Sequence, residues 1–252
     1  MNVFSARSLA RFTPVFLLVA LTGFAAAQNL PIPNVNIGVG TAKNSDDVSS
    51  SLQILALLTV LSVAPAILML TTAFTRIVII FSFLRNALGT PSIPPNQVLV
   101  GLSLFLTFYV MGPTYTQINE NALKPYVNKE IKFDQAVERA EKPLRAFMLK
   151  NTYEKDLLLF VNMRKEKPSG PDDVSMLSLI PAFIISELKT AFIIGFYIFV
   201  PFLVIDLIVA SALMSMGMMM LPPVVVSLPA KILVFVLADG WHTIVSAIMQ
   251  GY

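Results

Sequence analysis

The apolar run that decides the fold covers residues 177–220 and reads LSLIPAFIISELKTAFIIGFYIFVPFLVIDLIVASALMSMGMMM. A membrane-spanning helix needs about 20 predominantly apolar residues, so this run is long enough to cross a bilayer. A further apolar run extends from Val224 to the end of the sequence, and Pro222-Pro223 separates the two. Residues 176–252 are therefore predicted to form a helical hairpin.

The composition of the whole chain agrees with a membrane protein. Among 252 residues, 56% are hydrophobic and 13% are charged, whereas soluble domains contain about 25% charged residues. The net charge of +3 is small and its carriers are scattered, which argues against nucleic-acid binding. Without cysteine and with His242 as the single histidine, the chain offers no disulfide, thiol nucleophile or cysteine-based metal site. We predict neither a cofactor nor an enzymatic activity.

Residues 1–27 have the pattern of a cleavable signal peptide. Two arginines precede an apolar stretch at residues 14–24, and small residues lead to a cleavage site between Ala27 and Gln28. Cleavage would place the new amino terminus outside the cytoplasm. The alternative is an uncleaved first membrane helix.

A polar lead-in and a first helical hairpin follow. Residues 28–51 lack an apolar periodicity and are predicted to be flexible and periplasmic. Residues 52–117 contain two charge-free apolar runs, which predict the two helices of a hairpin, the first of them kinked at Pro65. The connection between the runs carries Arg76 and Arg85 and no acidic residue, which predicts a cytoplasmic loop.

Residues 118–175 hold most of the charge and are predicted to form a small helical periplasmic domain. Apolar residues recur there at steps of three and four, as in an amphipathic helix, and a shorter helical pattern follows. The first pattern consists of Phe133, Val137, Ala140, Leu144, Phe147 and Met148, and the second of Tyr153, Leu157, Phe160 and Val161. So small a domain buries little apolar surface alone, so we expect it to pack on copies of itself or on partners.

Charged side chains interrupt the two runs of the second hairpin. These buried-charge and assembly candidates are Glu187, Lys189, Asp206, Lys231 and Asp239. A lone charge at the centre of a membrane helix costs about 2.5–3.5 kcal/mol, so these groups should face protein or water. One interpretation pairs Glu187 with Lys231 of a neighbouring subunit; the other lets Lys231 reach the membrane interface along its own stem.

Five of the chain's twelve methionines lie close together near the hairpin turn: Met214, Met216, Met218, Met219 and Met220. Methionine is flexible and polarizable and adapts to irregular surroundings. Gly217 and Pro222-Pro223 should break the helix there. In a ring of subunits, such a loop could seal a pore and deform around a passing polypeptide. The alternative is a soft packing patch at a helix end.

Two other functions fit parts of the sequence less well. An intramembrane aspartyl protease would need two facing aspartates, for which Asp206 and Asp239 are nominal candidates. A secondary transporter would use charges and broken helices near the membrane centre. However, four apolar segments without an internal repeat are few for a transporter acting alone.

The charged and methionine-rich segments resemble the FliP/SctR family of type III secretion export gates. The resemblance extends over residues 52–252 and is carried by Phe74–Arg76, Phe83–Asn86, Ser186–Phe196, Pro201–Asp206, Leu213–Pro223, Ser227–Lys231 and Ala238–Trp241. It implies a multi-pass inner-membrane subunit of the flagellar basal body, not an enzyme, that forms a pentamer with FliQ and FliR homologues. It also implies contacts with FlhA and FlhB homologues, the MS ring, membrane lipid and unfolded export substrates. A virulence-type III system is the alternative branch.

Overall fold

The computed structural model describes residues 45–218 and 220–252, with side chains from Ile54 onward. The predicted signal peptide with Ala27 and Gln28, most of the lead-in, and Met219 lie outside the described residues. Within the described ranges the regular elements are helices, with no strand, so the predicted all-α membrane fold is confirmed. All contacts given below lie within one compact unit, Ala56–Tyr252.

The helices follow one another along the chain with short connections. They are α1 (Ser45–Leu70), α2 (Phe74–Ala87), α3 (Asn96–Ile118), α4 (Lys124–Val127), α5 (Phe133–Lys150), α6 (Glu154–Met163), α7 (Met176–Ser215), α8 (Pro223–Leu237) and α9 (Gly240–Gln250). A π-helical turn, Asn119–Leu123, joins α3 to α4, and a 3₁₀ turn, Pro171–Asp173, precedes α7.

Two helices are long and apolar enough to cross a membrane by themselves: Asn96–Val127, which comprises α3 to α4, and α7. Two further spans are possible if each bent pair counts as one. The pair α1–α2 bends by 65° and the pair α8–α9 bends by 63°. The four predicted apolar segments are therefore present as helices, but two of them are broken.

Helix α2 is the most deeply buried helix, although its sequence was assigned to a cytoplasmic loop. Ile77, Ile80 and Phe81 are fully buried in the main apolar cluster, and Leu84 is nearly so. Spacings of three and four residues place these side chains on one face, which packs against α3 and α7. The prediction of a loop is wrong, because Arg76 and Arg85 both belong to this helix, whereas the cytoplasmic placement of the stretch stays a prediction.

The boundaries of the first segment also differ from the prediction. Helix α1 begins at Ser45, so the end of the predicted flexible lead-in is helical. The helix continues through Pro65, and the chain turns instead after Leu70. There the amide and the hydroxyl of Thr71 both donate to the Ile67 carbonyl, each at 2.9 Å.

The charged block forms the two predicted helices, α5 and α6, which cover one side of α7. Met148 and Val161 pack with Leu179 and Phe183 in a second apolar cluster. Arg145 ties the block to the chain before α7, because it donates to the Val174 carbonyl. The same chain thus covers part of the predicted apolar face, whereas Phe133 and Val137 remain exposed, and packing on copies or partners stays a prediction.

Candidate functional site

A buried ion pair joins α2 to the middle of α7. Arg76 Nε donates to Glu187 Oε2 at 3.0 Å, and Arg76 Nη2 donates to Glu187 Oε1. The two side chains are 3% and 0% exposed, respectively. Because both carboxylate oxygens accept from one planar guanidinium, the pair is bidentate, which is the strong and directional form of an ion pair.

Tyr252 completes this site. Its hydroxyl lies 2.7 Å from Glu187 Oε2 and 3.2 Å from the Ala73 carbonyl oxygen. The Arg76 guanidinium carbon stands 3.9 Å from the centre of the Tyr252 ring. Burial, together with the nearby Glu187 carboxylate, raises the pKa of the Tyr252 phenol. The phenol therefore stays protonated and donates to Glu187.

A second ion pair, between a buried lysine and a half-buried aspartate, joins α7 to α8. Lys231 Nζ donates to Asp206 Oδ2 at 2.6 Å and to the Ala87 carbonyl at 3.1 Å, and the lysine side chain is 3% exposed. The Ser227 hydroxyl donates to Asp206 Oδ1 at 2.5 Å. Since Ala87 is the last residue of α2, the ammonium also faces the negative end of the α2 dipole.

The predicted pairing of Glu187 with Lys231 is wrong, because each has another partner within the chain. The alternative, in which the Lys231 side chain extends to the membrane interface, is wrong as well, since its ammonium is buried within the chain. A hairpin that turned at Pro222-Pro223 itself would place Leu213 opposite Lys231. However, α7 ends at Ser215 and α8 begins at Pro223. The turn is therefore centred nearer residue 219, which brings Asp206 opposite Lys231.

The remaining two charge candidates are not buried. Lys189 is half-buried, and its ammonium lies 4.4 Å from the centre of the Tyr153 ring. Asp239 lies at the break between α8 and α9 and is 78% exposed, with His242 at 4.0 Å. Asp239 thus faces outward from the single chain, as a charge facing water or a partner would, and its shelter in an assembly stays a prediction. The described residues contain no cluster that could hold a metal ion.

The methionine-rich loop lies beyond the second ion pair. The Met218 amide donates to the Leu213 carbonyl and the Gly217 amide to the Met214 carbonyl, a Schellman arrangement that ends α7. Gly217 has a φ of +75°, a conformation that glycine adopts without a steric penalty. The four described methionines of the loop are exposed: Met214, Met216, Met218 and Met220. Met220 reaches 98% exposure.

Sequence reasoning missed three members of the buried sites: the pairing role of Arg76, Ser227 and Tyr252. The apolar spacing that surrounds Arg76 could have revealed a helix in place of a loop. Nothing in the sequence signals Tyr252, because its partners Ala73 and Glu187 are distant along the chain.

Long apolar helices with internally paired charges define an all-α integral membrane protein without a metal cluster in its described part. The sequence profile of the FliP family matches residues 57–248, and the chain belongs to this family.

Three relatives named flagellar biosynthetic protein FliP are similar to the chain over most of its length. The protein of Bacillus subtilis (strain 168) is 56% identical over 220 residues, which cover 87% of this chain and 100% of the relative. The protein of Pectobacterium carotovorum subsp. carotovorum is 52% identical over 203 residues, or 80% and 79% of the two chains. The protein of Aquifex aeolicus (strain VF5) is 44% identical over 239 residues, or 94% and 97%.

Proposed function

We propose that the chain is a non-enzymatic subunit of the flagellar protein export apparatus in the bacterial inner membrane. Copies of it surround a channel for unfolded flagellar subunits and assemble with FliQ and FliR homologues within the basal body. FlhA and FlhB homologues and the MS ring are the further partners. Family membership and the relatives' printed names support the flagellar role over a virulence-type system.

The main support for the channel proposal is that the methionine-rich loop is exposed at the tip of the second hairpin. The Asp206–Lys231 pair fixes α7 to α8, and the exposed methionines lie on the far side of it. Flexible, weakly polar side chains at the tip of a fixed hairpin suit a seal that closes when tips from several copies meet. The same side chains can yield to a polypeptide without binding it tightly.

The length of α7 supports a position only partly within the bilayer. Its 40 residues correspond to about 60 Å, whereas the hydrocarbon core is about 30 Å thick. A helix of this length extends beyond the hydrocarbon on at least one side unless it lies strongly tilted. Extension beyond the bilayer, inside a ring of basal-body proteins, fits the polar side chains along α7.

The seal is tested by replacing Met216, Met218 and Met220 together with alanine. We expect the assembled variant to conduct ions when closed, because alanine cannot fill the gap that methionine fills. Whole-cell conductance or ion flux into vesicles, alongside filament export, measures this. Met163→Ala is the control, since Met163 is also an exposed methionine but lies on α6, away from the hairpin tip. Unchanged conductance in the triple variant contradicts the seal.

The assembly is tested by native mass spectrometry of the chain co-expressed with its FliQ and FliR homologues. We expect a complex with several copies of this chain, five by the family resemblance. A solitary chain under conditions where the homologues are folded contradicts the channel. The two carboxylates of α7, Glu187 and Asp206, each have a partner of opposite sign, which argues against a solute transporter that uses them as ion sites.

A further inference from the structure

We propose that α9 with Gly251 and Tyr252, here called the strap (residues 240–252), is a detachable element. It turns at Asp239-Gly240 and is held in place by Tyr252. Its docking holds α5 against α2 and α7 around the Arg76–Glu187 pair. The proposal does not depend on the channel function.

Three elements meet at the end of the strap. Arg76 of α2 donates to the Gly251 carbonyl at 2.8 Å, and the Tyr252 hydroxyl reaches Glu187 of α7. From α5, the Phe147 ring stacks on the Tyr252 ring with centroids 6.0 Å apart, and Lys150 donates to the Tyr252 carbonyl oxygen. These contacts give the last two residues far more polar partners than the rest of the strap.

The turn at the start of the strap is conformationally unfavourable. Asp239 has φ +45° and ψ +55°, the left-handed region that is costly for a residue with a Cβ. The next residue must be glycine, because a Cβ at Gly240 would lie 2.1 Å from Phe235 Cε2. In the docked strap, the backbone strain at Asp239 opposes docking, whereas the contacts of Tyr252 at the other end stabilise it. We therefore expect residues 240–252 to detach together when the contacts of Tyr252 are lost.

Between these ends the strap is held by a single apolar face. Ile244 and Ile248 are buried in the main cluster, Val245 and Met249 are partly buried against it, and the Trp241 ring contacts aromatic rings of α2 and α8. Loss of the Tyr252 contacts should thus change how often the strap opens without dissolving the core around α2.

Hydrogen exchange measured by mass spectrometry on the full chain in detergent tests the strap. Tyr252→Phe keeps the ring but removes the bond to a charged partner, a loss worth about tenfold or more in an opening equilibrium. We expect about tenfold faster exchange in α9 and at the end of α5, with α2 and α8 unchanged. Tyr126→Phe, an exposed tyrosine on α4, is the control.

A second pair of variants tests the turn independently of Tyr252. Valine is strongly disfavoured at positive φ and glycine is not, so Asp239→Val should open the strap more often than Asp239→Gly. Because Asp239 is exposed, the two variants differ mainly in backbone preference. Unchanged exchange in Tyr252→Phe, a uniform rise in every helix, or equal exchange in both Asp239 variants would overturn the proposal.

Discussion

Removal of Arg76 should destabilise the protein more than removal of any exposed charge. Arg76→Ala leaves Glu187 fully buried with Tyr252 as its remaining side-chain partner. Breaking one member of a buried pair costs about 3–5 kcal/mol, because the other charge stays desolvated without compensation. For a chain of this size, that corresponds to a fall in Tm of about 6–20 °C.

The assay is a double-mutant cycle in which thermal unfolding in detergent is followed for Arg76→Ala, Glu187→Ala and the double variant. When both charges are absent, neither is stranded, so the double variant should be less destabilised than the sum of the two single losses. The exposed pair Glu138–Lys142, with side chains 69% and 70% exposed, is the matched control. Its loss should cost about 0.5 kcal/mol or less.

Additive losses at Arg76 and Glu187 would refute the reasoning, because they would mean that the two groups do not share a desolvated site. A loss no larger than that of the control pair would refute it as well.

Two further predictions concern packing and pH. Gly240→Ala should lower the free energy of unfolding by about 1–3 kcal/mol, since the new Cβ collides with Phe235. Gly101→Ala, which meets open space on α3, should be neutral or stabilising in the same thermal measurement. A hydrogen bond from Arg164 holds the pKa of Glu166 below its ordinary value of 4.5. The stability that Glu166 contributes is therefore present above pH 4.5 and is lost as the pH falls through its lower folded pKa. Exchange in the connection between α6 and α7 should rise in that acid range, and Glu166→Gln should remove the dependence.

Periodicity was the dependable part of the sequence signal. The steps of three and four from Phe133 to Met148 predicted α5 correctly. The same steps from Ile77 to Leu84 define α2, but two arginines and no acidic residue made the stretch resemble a loop. An excess of arginine predicts the side of the membrane and not the local structure, so it could not show that this stretch is helical or that a distant carboxylate pairs with Arg76.

The partners of the buried charges could not be predicted because they depend on tertiary contacts. Arg76 and Glu187 are separated by 111 positions along the chain. The Asp206–Lys231 pair is closer in sequence, but its register depends on where the hairpin turns. The double proline suggested that the chain turns at residues 222 and 223. However, Gly217 follows the last turn of α7, so the hairpin turn is centred nearer residue 219. Glycine after the last helical turn is the signal that could have corrected the register.

The central claim is that Glu187, Asp206 and Lys231 of the second hairpin find their ion-pair partners within one chain, and that the methionine-rich loop is left exposed at the hairpin tip. Because the chain contains no cysteine, Asp206→Cys with Lys231→Cys can be joined by a short bifunctional thiol reagent in native membranes. Denaturing electrophoresis should then show a cross-linked product that runs as one chain, whereas Glu187→Cys with Lys231→Cys should give none. A product the size of two chains from either pair, without an internal cross-link at residues 206 and 231, would contradict the account.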